Sequence, residues 1–161
     1  MRIVDLLRIY PQSRFFVIIL MLIHMKSTIR WANKADIKQL LVLDRLAHKE
    51  FPEWWDLLKV SEAKKLIGKS KFNVLIAEIN GKIVGFLRGE LSGKSKLTLE
   101  DMFILKKSRS KGIGKRMMRV FLRKWRGKAN AVGLHTKDFN VKKFESMGFE
   151  KKMNFMSRKI Q

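Results

Sequence analysis

The sequence contains no cysteine, three histidines, one tyrosine and two prolines, and its 14 acidic residues stand against 36 basic ones. Without cysteine, disulfides, cysteine nucleophiles and thiolate metal sites are excluded. His24, His48 and His135 are far apart in sequence, which argues against a dedicated zinc site. The apolar fraction of 46% excludes wholesale disorder, and 161 residues suffice for one domain with a substantial core.

The shortage of acids leaves a formal net charge of +22, and this charge is unevenly distributed. Residues 1–105 hold 18 basic and 11 acidic side chains, whereas residues 106–161 hold 18 basic and 3 acidic ones. Such a surface suits phosphate groups, either on nucleic acid or on a phosphorylated cofactor. A solvated basic face is the alternative interpretation. The aromatic residues fall at core spacing and do not alternate with the basic ones as in a nucleic-acid platform.

The N-terminal segment differs in composition from the rest of the chain. Three arginines precede an apolar run at residues 15–23, which is too short to span a bilayer, since a span needs about 20 residues. The run has the length of a secretory signal, but no cleavage site of small residues follows it. We favour an upstream extension with Met25 as the natural start; a membrane-surface anchor and an added packing element are the alternatives. We therefore divide the chain into an extension, 1–25, and a domain, 26–161.

Hydrophobic periodicity along the domain predicts the element order β-α-α-β-β-β-α-β-α-β, a mixed α/β class. Asn80-Gly81 predicts a tight hairpin between the second and third strands, because both residues tolerate positive φ. Strands are predicted at 28–32, 72–79, 82–91, 97–105, 131–136 and 149–158. Helices are predicted from Asp36 until Pro52 breaks the pattern, and at about 54–67, 113–126 and 141–147.

A basic, glycine-bearing turn, Arg109-Ser110-Lys111-Gly112-Ile113-Gly114, lies between a predicted strand and a predicted helix. The first N–H groups of a helix have no internal partner and point outward at the positive end of its dipole, where a pyrophosphate fits. Lys111, Lys115 and Arg116 add positive charge. An ordinary strand-to-helix turn is the alternative. The turn lacks the Gly-Lys-Ser/Thr of a Walker loop and the third glycine of a Rossmann fingerprint.

The wider segment from Glu100 to Gly114 resembles the acyl-CoA-binding core of the GNAT superfamily of N-acetyltransferases. That family carries the signature Arg/Gln-x-x-Gly-x-Gly/Ala after its fourth strand, and here the signature is Arg109, Gly112 and Gly114. The order of the motifs along the chain is more specific than any one of them.

Two flanking segments extend the resemblance. Residues 140–149 are similar to the family's closing Asn…Tyr-x-x-x-Gly-Phe segment, and residues 28–36 to its opening strand and first helix. The resemblance covers about residues 25–160. It implies a GNAT-like, mostly antiparallel twisted sheet flanked by helices, and a cytoplasmic enzyme, monomeric or homodimeric, that transfers an acetyl group from acetyl-CoA to an amine.

The resemblance also implies the residues that contact acetyl-CoA. The fourth strand would splay from its neighbour, so that the backbone of Phe103 and Ile104 pairs with pantetheine and polarises the thioester. The complete expected set is Met102, Phe103, Ile104, Arg109, Ser110, Lys111, Gly112, Ile113, Gly114, Lys115, Asn140 and Phe144. Phe144 stands where the family frequently has a tyrosine, and it has no hydroxyl. No residue of the sequence is therefore assigned as the general acid. Asn140 stands closer to Phe144 than the common spacing, which leaves its cofactor contact in doubt.

Amide formation requires that the acceptor amine lose its proton, because a lysine-like amine has a pKa of about 10.4. Glu100 is the candidate general base, acting directly or through water, and Asp101 is the alternative. In a regular strand, Glu100 and Met102 share one face of the sheet and Asp101 takes the other. A carboxylate beside apolar neighbours has a raised pKa, which suits proton abstraction.

The predicted helix pair near Pro52 contains the candidates for the acceptor site. Trp54, Trp55 and Glu50 could form its wall, although core packing is the more common role of large aromatic side chains. His135 could carry a proton at the end of a strand, but a structural role is more frequent. Tyr10 lies in the extension and is a poor general acid.

Three functions compete at this point. The first is an acetyl-CoA-dependent N-acetyltransferase whose acceptor is a protein N-terminus, a lysine or a small amine. The second is a nucleic-acid-associated protein that uses the basic C-terminal third. The third is a catalytically degenerate protein that binds acyl-CoA as a regulator, which Phe144 suggests.

Overall fold

A computed structural model describes residues 27–68, 72–92 and 95–152. The extension at 1–25 lies outside these ranges, so all three interpretations of it stay predictions. Over the described ranges, no helix combines the length and the apolar character needed to cross a membrane.

In the part of the chain that the structure describes, five strands form one sheet in the order β1-β2-β3-β4-β5. The first four pair antiparallel as a meander, and β5 is parallel to β4 at the edge. Asn80 (φ 50°) and Gly81 (φ 72°) make the predicted tight hairpin. The predicted mixed, mostly antiparallel sheet is thereby confirmed. The strands are β1 (Thr28–Trp31), β2 (Phe72–Ile79), β3 (Lys82–Ser92), β4 (Lys96–Ile104) and β5 (Ala131–Leu134).

Among the described residues, four helices flank the sheet: α1 (Ile37–Glu50), α2 (Val60–Gly68), α3 (Ile113–Trp125) and α4 (Asp138–Glu145). A 3₁₀ turn at Lys34–Asp36 leads into α1, and Asn33 caps it through its side chain. Both α3 and α1 agree with the sequence prediction to within a residue or two.

The second helix is shorter than predicted: it begins at Val60, six residues after the predicted start near Trp54. Asp44 of α1, 5% exposed, explains the difference. Its carboxylate accepts hydrogen bonds from Trp55 Nε1 and from the Leu58 backbone N–H, both at 2.8 Å. These bonds hold the segment after Pro52 in an irregular path, because a side chain takes the backbone donor that a helix would use.

Two other predicted boundaries move. The last helix begins at Asp138, three residues before the predicted start. The described part of the predicted last strand, residues 149–152, has no regular structure, and the remainder lies outside the described residues.

The sheet has a separate core on each face. On one face, α3 places Met117 and Phe121, both fully buried, against Leu75, Leu87 and Leu97. On the other face, α1 and α2 cover a second cluster: Leu40, Leu43, Ala47, Leu66, Val74, Ile76, Ile83, Phe86 and Phe103. The candidate site lies where β4 and β5 part between these two layers.

Phe121 makes its closest approach to the sheet at Gly89 of β3. A Cβ atom at Gly89 would lie 2.4 Å from Phe121 Cζ and 2.9 Å from the Thr98 carbonyl oxygen, which no packed core accommodates without displacement. A Cβ atom at Gly133 of β5, by contrast, would meet nothing within 4 Å.

We therefore expect the substitution Gly89→Ala to lower the free energy of unfolding by about 1–3 kcal/mol, the usual effect of overpacking a core. Urea denaturation followed by circular dichroism measures this change. Gly133→Ala is the matched control and should leave the free energy within about 1 kcal/mol of wild type. Equal stability of the two variants would contradict this account of the core.

Candidate active site

The fourth strand carries a β-bulge at Glu100. Arg88 of β3 is opposite Asp101 and Gly89 is opposite Leu99, so Glu100 is the extra residue. Side chains two residues apart in a regular strand share a face. Here Leu99 packs in the core beneath α3, whereas Asp101 faces the α1 and α2 side. The bulge therefore turns Asp101 from one layer to the other.

Sequence reasoning missed this bulge, although Gly89 was its available signal, because a glycine inside a strand often marks one. The side chains of Asp101 and Met102 lie on opposite faces of β4, as expected for consecutive residues of a strand. Glu100 is exposed at the bulge rather than on an apolar face.

The edge of β4 that faces β5 is open beyond Leu99. The two strands pair only from Lys96↔Ala131 to Leu99↔Leu134, and no described strand continues the pairing along residues 100–104. The edge of β4 is therefore unpaired at residues 100–104, where the resemblance implied a splay between the two strands.

The peptide groups of β4 alternate between the two edges of the strand. The Leu105 N–H donates to the Val84 carbonyl at 2.8 Å, so the two-residue alternation turns the peptide groups of Phe103 towards β3. The expectation that Phe103 presents its backbone groups to the open edge of β4 is therefore wrong. Met102, the preceding residue, presents its backbone groups there instead. Ile104 shares that edge, but its carbonyl accepts Arg109 Nε at 2.8 Å.

The N-terminus of α3 is open. Gly112 (φ 71°) and Ser110 (φ 61°) adopt left-handed conformations, and a Cβ atom at Gly112 would meet nothing within 4 Å. Within the described residues, the N–H groups from Ser110 to Lys115 make no hydrogen bond. The first turn contains no acidic residue and carries Lys115 and Arg116, although cations are unfavourable at this end of the helix dipole. This arrangement suits an anion.

Arg109 is bound within the protein instead of pointing into this opening. Its two terminal nitrogens donate to the Glu50 carboxylate at 2.6 and 2.7 Å, and its guanidinium lies 5.6 Å from the centre of the Phe103 ring. Arg109 thus ties the end of α1 to the end of β4 and holds the pKa of Glu50 below its ordinary value, mainly through these hydrogen bonds. Lys111 and Lys115 remain as exposed cations beside the open N–H groups.

A small cavity of about 30 Å³ lies between the sheet and the α1 and α2 layer. Asp101 and Arg88 form an ion pair in its wall, beside apolar side chains such as Leu40 and Leu66. Burial raises the pKa of Asp101, and Arg88 opposes this effect. The Arg88 Nε atom is buried and has no partner among the described residues. A carboxyl group with a raised pKa next to an unpaired strand edge is suited to accept a proton.

The two tryptophans predicted for the acceptor wall differ in environment. Trp55 is half-buried and packs edge-on against Phe86 and Phe103, with ring centres 5.7 and 5.8 Å apart. Trp54 is 64% exposed, and the Lys137 ammonium lies 3.0 Å from its ring centre. The contact joins the segment after α1 to the segment after β5.

The remaining predicted residues lie beyond β5. Phe144 of α4 is half-buried and packs edge-on against Phe149 at 5.7 Å, beside the core under α3. Asn140 is half-buried in the first turn of α4, and His135 is exposed just after β5. Tyr10 lies outside the described residues.

Comparison with known proteins places this arrangement in context. The family model described as acetyltransferase (GNAT) domain matches residues 70–151. An aminoglycoside acetyltransferase from an uncultured soil metagenomic sample, solved with sisomicin, is 18% identical; the match covers 84% of this chain and 97% of that one, with a TM-score of 0.67. No curated protein sequence matches this chain.

Two further solved structures have the same fold. The aminoglycoside acetyltransferase AAC(6')-Iy, in complex with a bisubstrate analogue of CoA and acetylneamine, is 17% identical over 84% of this chain and 99% of its own, with a TM-score of 0.69. A transcriptional regulator from Bacillus halodurans C-125 is 19% identical over 84% and 100%, with a TM-score of 0.68. At these identities the likeness shows the fold.

The charges around Asp101 generate a prediction about its titration. Arg88→Met should raise the pKa of Asp101 further, because the opposing cation is lost, whereas Glu100→Gln should lower it, because a neighbouring negative charge is lost. Carbon-13 NMR of labelled aspartate carboxyls measures both shifts. Since the folded-state pKa is raised, ionisation of Asp101 should cost stability as the pH rises through it. A lower pKa in Arg88→Met would contradict the arrangement.

Proposed function

The chain belongs to the GNAT acetyltransferase family, and on that premise we propose that it transfers an acetyl group from acetyl-CoA to a primary amine by direct attack in a ternary complex. The open N-terminus of α3 is the observation that carries this proposal. A cytoplasmic location and a monomeric or homodimeric state are further proposals that follow from the family.

The residues at this terminus fit the pyrophosphate of CoA. The N–H groups of Gly112 to Lys115 are unpartnered within the described chain, and no side chain fills the space above Gly112. Such N–H groups, at the positive end of a helix dipole, bind phosphate oxygens. Lys111 and Lys115 would add charge nearby, and the lysines of the basic C-terminal third would face the 3′-phosphate.

When bound, acetyl-CoA supplies an acyl group activated as a thioester. The open edge of β4 beyond Leu99 would receive the pantetheine chain, because the peptide groups of Met102 point out from that edge. A backbone N–H at this edge can donate to the thioester carbonyl and stabilise the charge that develops on its oxygen. Arg109 contributes by holding the Ile104 carbonyl in place and fixing the end of β4 to α1.

Asp101 is the better placed of the two candidate bases. It lies half-buried in an apolar wall on the acceptor side, with a raised pKa, whereas Glu100 is exposed at the bulge. We assign Asp101 to accept the proton of the acceptor amine and keep Glu100 as the alternative. The leaving group is a thiolate whose thiol has a pKa of about 8.5, so it needs protonation less than an alkoxide does. The reaction can therefore proceed with Phe144 in the position where the family often has a tyrosine.

The acceptor side is suited to a cationic amine despite the protein's net charge. Five of the 14 acidic residues lie between residues 44 and 62, in α1, α2 and the segment that joins them. The exposed face of Trp54 already binds one ammonium, that of Lys137, and an acceptor ammonium could bind there in the same way. The aminoglycoside acetyltransferases of the same fold act on amines of this kind, which supports an amino sugar or another small polar amine as the acceptor.

We expect Gly112→Asp to abolish CoA binding measured by calorimetry. The new carboxylate would place a negative charge beside the free N–H groups of α3 and repel phosphate, while the left-handed backbone at Gly112 adds strain of its own. Gly127→Asp is the matched control. Gly127 has φ 73° and no atom within 4 Å of an added Cβ, so both variants carry the same backbone strain, but Gly127 follows the C-terminal end of α3.

The control should bind CoA like wild type. CoA binding by Gly112→Asp at wild-type affinity, or no binding by wild type at millimolar concentration, would overturn the proposed function.

We expect Asp101→Asn to lower kcat by about 10²–10⁴-fold, the usual contribution of a general base, and Glu100→Gln to leave it close to wild type. Thiol release from acetyl-CoA, first screened over amine acceptors, measures both. The acidic limb of the kcat profile should disappear in Asp101→Asn alone. A large loss of kcat in Glu100→Gln with little change in Asp101→Asn would assign the general base to Glu100. Turnover of any amine by the wild-type protein would exclude the interpretation as a catalytically degenerate regulator.

A further inference from the structure

A second basic surface runs along α3 from its first turn towards its C-terminal end. Arg116, Arg119 and Arg123 are spaced three and four residues apart, so they share one face of the helix. With Ser27, Thr28 and Ile29 they line a groove of about 480 Å³. This groove, which we call the arginine groove, lies against β1, at the edge of the sheet opposite β5 and the candidate active site.

One of the three arginines is fixed and two are available. Arg116 donates to Ser27 Oγ at 2.8 Å and to the Ser27 carbonyl at 2.7 Å, and Ser27 is only 5% exposed. Arg119 and Arg123 are exposed and contact no carboxylate within the part of the chain that the structure describes. The fixed arginine therefore shapes the groove, and the other two present their charge to solvent.

No acidic residue near in sequence neutralises this surface. Residues 102–137, which include all of α3, contain twelve lysines and arginines and no aspartate or glutamate. Surface helices usually combine charges of both signs at spacings of three and four residues, because such pairs stabilise the helix. Because α3 contains no acidic residue, no such pair forms within it, and a strong positive field remains over the groove.

The edge of β1 adds a backbone donor to the groove. The Ala32 N–H donates to the Val74 carbonyl at 2.8 Å, so alternate residues of β1 bond to β2. By this alternation the N–H of Ile29 points away from β2, along the outer edge of the sheet. Ile29 lines the groove, which therefore combines guanidinium groups with an outward backbone N–H.

We propose that the arginine groove binds the phosphodiester backbone of single-stranded nucleic acid. Three and four helical residues correspond to about 4.5 and 6 Å of rise, a spacing close to that of successive phosphates along a strand. The groove is concave, which fits a rod-like polyanion better than a flat lipid surface. No aromatic side chain lines it, so binding rests on charge and does not depend on base sequence.

The groove does not depend on the proposed acetyl transfer: Arg116, in the first turn of α3, borders both sites, but Arg119 and Arg123 lie further along the helix. The test is fluorescence anisotropy of a labelled single-stranded RNA of about ten nucleotides, within the range that such sites cover. It compares the wild-type protein with the double variant Arg119→Gln/Arg123→Gln over a range of salt concentrations.

The double variant should bind RNA at least about tenfold more weakly, and the slope of log K against log salt should fall by about 1.4, since each lost phosphate contact contributes about 0.7. The control, Lys64→Gln/Lys65→Gln on α2, removes the same charge from exposed positions and should retain most of the affinity. CoA binding should be equal in all three proteins.

Several results would overturn the inference. An unchanged salt slope in the double variant, or an equal loss in the control, would mean that net charge alone binds the RNA. Complete displacement of RNA by CoA would assign binding to the α3 N-terminus. If the double variant lost binding only to vesicles rich in phosphatidylserine, the groove would be a lipid-binding surface.

Discussion

The candidate site depends on the early end of the pairing between β4 and β5. Four residue pairs join the strands, after which β4 continues to Ile104 paired only with β3 on its other edge. An unpaired strand edge inside a domain leaves backbone donors and acceptors that must find other partners. Arg109 satisfies one of them, the Ile104 carbonyl, and the peptide groups of Met102 lie on the same edge. The helix that follows begins beside this edge, so strand groups and helix N–H groups face one opening.

The elements that local sequence determines could be predicted. The Asn80-Gly81 hairpin, the amphipathic α3 and the open turn at Gly112 each depend on residues close in sequence, and the structure has all three. The features that were missed depend on contacts between distant residues. Asp44 prevents a helical turn fourteen residues later by binding the Leu58 N–H. Arg109 pairs with Glu50 across 59 positions, and no local pattern indicates that partner.

The sheet also separates two electrostatic environments. Helix α3 carries five cations and no acidic residue, whereas α1, which covers the other face, carries Asp44 and Glu50, and the bulge turns Asp101 towards that face. A phosphorylated donor and a positively charged acceptor require opposite potentials within a short distance. The bulge at Glu100 contributes to this separation, because it turns the Asp101 carboxylate away from the face that α3 covers.

The contact between Trp54 and Lys137 has a consequence for the catalytic cycle of such an enzyme. If an acceptor ammonium binds the Trp54 ring as proposed, it exchanges with a lysine that the protein itself supplies, because both cations are attracted to the same ring face. Amide formation removes that charge. The product would then be a poor competitor, the lysine would return to the ring, and departure from the site would be favoured without any large movement of the fold.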